Sequence, residues 1–191
     1  MPTGSLFLFL FAALLGARVP LPPPTPTPGW SKEPTAYRTI PFGLPYADME
    51  GRILLTGCHP GTREHESGTR TCEGSGFRSN GAAVEDVFVF QDDLFVGVSL
   101  SFDSDDYEKL REVFLVKYGE PTRLETTRVM TRNGTRYDNE SLNWEGHSVS
   151  VSLERFGDAA DKGLGTIFLN TYLEQREKER QERLRKDADV F

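Results

Sequence analysis

Residues 84–118 read VEDVFVFQDDLFVGVSLSFDSDDYEKLREVFLVKY, and two periodicities follow one another within them. Leu94, Val96, Val98, Leu100 and Phe102 alternate with Phe95, Gly97, Ser99 and Ser101, the period of a strand with one apolar face and one light, polar face. Val84 to Phe90 precedes it as a second strand, and Gln91-Asp92-Asp93 is short enough to join the two as an antiparallel hairpin. At Asp103-Ser104-Asp105-Asp106 the pattern changes. Asp103 or Ser104 supplies an N-cap, the acidic side chains sit near the positive end of a helix dipole, and Tyr107, Leu110, Phe114 and Tyr118 follow at helical spacing, joined by Leu115. Gly119 stops this helix and Pro121 prevents its continuation.

Downstream, Thr122 to Arg132 is rich in β-branched residues and runs into Asn133-Gly134, a strong hairpin-turn dipeptide. The return begins at Thr135 to Tyr137, is interrupted by Asp138-Asn139 and resumes at Leu142 to Glu145. Gly146-His147 turns the chain into Ser148 to Phe156, where Val149, Val151 and Leu153 face inward and the serines between them face out, and Thr166 to Leu173 is the last strand. This is a meander with one lightly covered side. Upstream, Tyr37 to Leu55 holds a strand broken by Pro41, Gly43 and Pro45, with Pro45 opening a short helix. Gly57 to Ala83 carries six glycines and reads mostly as loop with one or two irregular strands. The fold class is therefore α+β: a mostly antiparallel sheet of about six strands packed against one long and one short helix.

At 191 residues and 37% hydrophobic content the chain suits a single packed domain, and its divisions are compositional. Residues 6–15, LFLFLFAALL, have the length of a signal-peptide core, with Gly16 and Ala17 supplying a cleavage site, so 1–17 is a signal peptide and the destination is periplasmic or secreted. Residues 18–34 form a Pro-rich linker, 35–173 the α+β domain and 174–191 a charged helical tail whose acidic and basic residues are spaced three or four apart. The mature chain has no membrane span. A net charge of −7 disfavours nucleic acid and anionic lipid. Eight carboxylates and no Lys or Arg fall between Glu85 and Glu108, an uncompensated patch that points instead to a protein partner with a cationic surface.

Candidate chemistry is sparse. In an oxidising compartment Cys58 and Cys72 read most simply as a disulfide; the competing reading is a metal site, because His59 and His65 lie between them beside Glu64 and Glu66, although neither a close Cys pair nor a close His pair is present. Glu73-Gly74-Ser75-Gly76 lacks the strand-turn-helix setting of a nucleophile elbow, and His147 is a turn histidine. Helix capping accounts for Asp103 to Asp106 without calcium. Asn133 and Asn139 match the N-glycosylation acceptor pattern. No catalytic, cofactor-binding or metal-binding set is assigned, and no cofactor is expected.

The order Pro-Phe-Gly-Leu (Pro41 to Leu44), hairpin, helix ending Lys117-Tyr118-Gly119-Glu120-Pro121, Trp144 and final meander resembles exported bacterial proteins with a helix-then-antiparallel-sheet unit. In topology it is similar to the outer-membrane-assembly lipoprotein family SmpA/BamE and to β-lactamase inhibitory proteins. That resemblance implies a non-enzymatic protein-binding or envelope-assembly module, without implying any binding residue. The expected interaction surface includes Phe95, Trp144, Asp92 and Asp93. The alternative is a small exported hydrolase or metal-dependent enzyme using the His59/His65 loop, and a third reading is a small-ligand binder with a pocket between helix and sheet.

Overall fold

A computed structural model describes residues 30–49, 52–61, 68–130, 136–157 and 159–189; the leader, His65 with its neighbouring glutamates, and Asn133 lie outside the described residues. The N-terminal segment forms a small hairpin, β1 (Ala36–Tyr37) and β2 (Ile40–Pro41), then a 3-10 turn at Tyr46–Met49 where the short helix was expected. The main sheet is built from β3 (Thr56–Pro60), β4 (Thr69–Glu73), β5 (Phe77–Ser79), β6 (Ala82–Gln91), β7 (Leu94–Asp103), β8 (Arg123–Met130), β9 (Arg136–Glu145), β10 (Val149–Glu154) and β11 (Lys162–Leu169). Helix α1 (Tyr107–Tyr118) follows β7 through a 3-10 turn at Ser104–Asp106, and α2 (Asn170–Ala188) follows β11.

These nine strands run antiparallel in the order β3-β4-β6-β7-β11-β10-β9-β8, with β5 paired beside β4 along β6. The α+β class stands, with a wider sheet than about six strands because the glycine-rich stretch from Gly57 contributes β3, β4 and β5. The reason is local. Asn80 and Gly81 both adopt positive φ, 48° and 84°, which is the two-residue turn that joins strands of natural twist, and it pairs Ser79 with Ala82. Asp92 and Asp93 do the same between β6 and β7, at 51° and 60°, as their tight connection requires. Asp138 and Asn139, expected to interrupt β9, lie inside it. Asn139 is buried because its side-chain amide donates to the Phe156 carbonyl at 3.0 Å and its oxygen accepts from the Phe156 amide at 2.9 Å, replacing the water it loses.

One irregularity decides which side chains enter the core. The β6–β7 register steps between Val89 and Phe90, pairing Val89 with Gly97 but Phe90 with Phe95, so Val96 is an extra residue opposite no partner. Before this bulge the alternation inverts. Phe95 turns inward with 0% exposure, Leu94 is exposed at 45%, and Val96 joins Val89 and Phe168 on the opposite face. Gly97 beside it admits the Phe168 ring, since a Cβ there would stand 2.2 Å from Phe168 Cδ1 and 2.3 Å from the Ile167 carbonyl oxygen.

Helix α1 lies on the inner face. Tyr107, Leu110, Phe114 and Tyr118 are buried, and Asp103 caps the preceding turn by accepting from the Asp105 amide at 3.0 Å. Gly119, at φ 80°, closes the far end by donating to the Leu115 carbonyl at 2.8 Å. Two tryptophans grip this end: Trp30 Nε1 donates to the Tyr118 carbonyl at 2.7 Å and Trp144 Nε1 to the Gly119 carbonyl at 3.0 Å. Trp30 thus packs within the span 18–34 read as linker. Helix α2 contains no buried residue and is held by pairs such as Arg180 with Glu177 at 2.7 Å. Among the described residues, no helix is long and apolar enough to cross a membrane.

Candidate functional site

The expected interaction surface does not assemble. Phe95 and Trp144 are both fully buried, Phe95 by the bulge and Trp144 because it stands opposite Val151 on the inner face with its indole N–H satisfied. Asp92 and Asp93 form the β6–β7 turn, and Asp93 pairs with Arg70 at 3.1 Å. Part of the acidic interval is answered by bases outside it: Asp86 meets Arg38 at 3.6 Å and Glu108 pairs with Arg155, both from distant segments, and Asp106 meets the neighbouring Lys109 at 2.5 Å.

Cys58 and Cys72 stand on adjacent strands β3 and β4 with their sulfurs at bonding distance. His59 lies on β3 opposite Thr71 and is exposed. Among the described residues no three His, Cys, Asp or Glu side chains converge in a way that could hold a metal ion. Ser75 sits in the connection between β4 and β5, and its hydroxyl contacts only the Gly76 carbonyl, at 3.4 Å. His147 occupies the β9–β10 turn. Asn139, as an occupied and buried amide, does not present an acceptor to a glycosylating enzyme.

What the fold does assemble is a cavity of about 140 Å³ between α1 and the inner face of the sheet. Its walls are apolar: Val84, Leu100, Phe102 and Ile167 come from the sheet, and Leu110 and Phe114 from the helix. Ser79, Tyr37, Tyr118, Arg38 and Lys117 supply its polar groups. The sequence spacing could not show this set. Arg38 and Tyr37 belong to the N-terminal hairpin and Lys117 and Tyr118 to the last turn of α1, and only the packing of both on one sheet brings them together.

Arg38 is held in place by several contacts. It is the first residue of the tight turn between β1 and β2 and adopts φ 54°, a left-handed conformation that a non-glycine residue of this kind seldom takes. Its guanidinium lies 4.0 Å from the Phe77 ring centroid and 5.3 Å from that of Tyr37, and it pairs with Asp86, whose side chain is 1% exposed. Asp86 in turn accepts from the Gly76 amide at 3.0 Å and from the Tyr37 hydroxyl at 3.4 Å. Gly74 permits this buried carboxylate, because a Cβ there would fall 2.2 Å from Asp86 Oδ1.

Lys117 differs. Among the described residues no carboxylate pairs with it. Withdrawal of water lowers its ammonium below the ordinary lysine range, and repulsion from Arg38 lowers it further. The Tyr118 hydroxyl also has no hydrogen-bond partner among the described residues, and burial raises it far above the ordinary tyrosine range. Tyr37 is raised as well, first by burial and then, against the favourable field of Arg38, by Asp86, with a smaller push from Tyr118. Both phenols therefore remain protonated donors throughout the physiological range.

No protein-family model, curated protein or solved structure matches the chain.

Proposed function

We propose that this chain is an exported, non-enzymatic binding protein that takes a small apolar ligand into the cavity beneath α1. The observation that carries the reading is the cavity itself: about 140 Å³ of apolar-walled space with polar groups grouped among its lining. That is the general form of a small-molecule site, with apolar walls for affinity and a few polar groups for orientation. Export is supported by the apolar run at 6–15 and by the Cys58–Cys72 pair, which suits an oxidising compartment. A protein-binding role through the sheet is less well supported. Its aromatic anchors lie in the core, and the β8 edge carries Arg123 and Arg128 in ion pairs, charges that discourage strand addition.

Thermal denaturation of the full chain with 1-hexanol tests the reading. At about one hundred times its dissociation constant a ligand stabilises by about 2.7 kcal/mol, a shift on the order of 5–10 °C for a domain of this size. Val113 of α1 also lines the cavity, and Val113→Phe, which places a ring there, should abolish the shift. A shift that persists unchanged in that variant, or none for any small apolar probe, overturns the reading.

A further inference from the structure

Resting on the cavity as a ligand site, we infer that the ligand is a small monocarboxylate whose apolar group is about the size of six carbons, with its carboxylate received by Lys117, Arg38 and the Tyr118 hydroxyl. Two arguments converge on this class, one from volume and one from charge.

The volume sets the tail. An apolar cavity of roughly 150 Å³ accommodates a benzene ring, and 140 Å³ here is nearly the same space. A six-carbon chain or a single ring fits within it. Phe114, Phe102, Leu100 and Ile167 offer this group carbon contacts and no competing polar atom.

The polar groups set the head. Two cations, Arg38 and Lys117, contribute to the lining of one cavity, and no carboxylate does. Arg38 has Asp86 as counter-ion, so its charge is partly answered from the protein side. Lys117 has none among the described residues; its ammonium lies 5.1 Å from the Tyr118 ring centroid, and withdrawal of water first, then the field of Arg38, lowers its affinity for a proton. An anion between them would relieve the repulsion. The Tyr118 hydroxyl adds a donor with no hydrogen-bond partner among the described residues, on a ring that itself lines the cavity. A cationic ligand would add a third positive charge to the site, and a neutral one would make no use of the two already there. A single carboxylate, with acceptor capacity for several donors, matches the set.

The test compares three probes of equal tail length on the full chain: hexanoate, 1-hexanol and hexylamine, followed by isothermal titration and by tryptophan fluorescence. Tyr118 packs at a tilt against both Trp30 and Trp144, at ring-centroid distances of 5.7 and 5.9 Å, so occupation of the site has a reporter nearby. Hexanoate should bind at least about ten-fold more tightly than hexanol, and hexylamine more weakly than either. Lys117→Met should erase the advantage of hexanoate while leaving hexanol affinity within about two-fold, which shows that the variant is folded and the cavity intact. Tyr118→Phe should weaken hexanoate alone. If hexanol binds and hexanoate binds no better, or if Lys117→Met affects both alike, the carboxylate assignment fails while the cavity reading survives. If none of the three binds, both fail together.

Discussion

Strand β10 places Val149, Val151 and Leu153 on one side of the sheet and Ser150, Ser152 and Glu154 on the other, and its neighbours continue both rows. On the inner side Val151 stands between Trp144 and Ile167, and all three are at most 2% exposed. On the outer side Ser152 stands between Asn143 and Thr166, and its hydroxyl lies 2.7 Å from that of Thr166. The same backbone thus supports two kinds of cohesion. The inner face is held by area removed from water, at roughly 25 cal/mol per Å². The outer face is held by short side chains that bond to one another and remain half-exposed, so it needs no covering layer. A single apolar island, Val89, Val96 and Phe168, breaks that rule, and it lies where Tyr172 of α2 starts over the sheet. The bulge at Val96 creates the island by turning one valine to the outer side.

This contrast can be broken most forcefully at Trp144. Trp144→Ala should cost about 3–5 kcal/mol in urea denaturation, since it deletes a buried aromatic and orphans the Gly119 carbonyl. Opening the Cys58–Cys72 link, which lies at one margin of the sheet, should cost about 3 kcal/mol on a loop-closure argument, read as a lower midpoint in reductant. Glu33 tests the rim. Burial tends to raise its carboxyl, but three backbone donors, Ser148, Val149 and His147, bring it below the ordinary value of 4.5. A depressed folded-state value stabilises above the unfolded pKa, so this contribution is complete above about pH 5. It is lost as pH falls through the folded value. Glu33→Gln should therefore lower stability by about 1–2 kcal/mol at neutral pH and flatten the acid limb below pH 4.5. The smallest effect belongs to the outer face: Ser152→Ala should change stability by about 1 kcal/mol or less, because only one half-exposed hydroxyl pair is lost. An outer-face substitution as costly as Trp144→Ala would show that this side too is covered in the working protein.

The part of this division that follows a strict period was legible in the amino-acid sequence. Val149 to Leu153 and Leu100 to Phe102 declare their inner and outer sides, and Asp103 to Gly119 declares a helix with its cap and stop. Phe95 was not legible, because a bulge reverses parity without leaving a mark in the alternation on either side. Asn80-Gly81 was legible in kind, since the same dipeptide at 133–134 reads as a turn, but the glycines around it masked the strands it joins. The general idea of a pocket between helix and sheet follows from the layer order. Its residues do not, because Arg38 and Lys117 are brought together by tertiary packing and by a strained turn that no local spacing announces.

The clasp of Glu33 on the amides of residues 147–149 spans 114 to 116 positions of the chain. Contacts of such separation close late, since the intervening loop must be ordered before they are rewarded. The strap that carries Tyr37 and Arg38 to the cavity is therefore expected to be among the last parts of the fold to fasten. Until it does, the side of the cavity that these two residues line lacks the N-terminal hairpin.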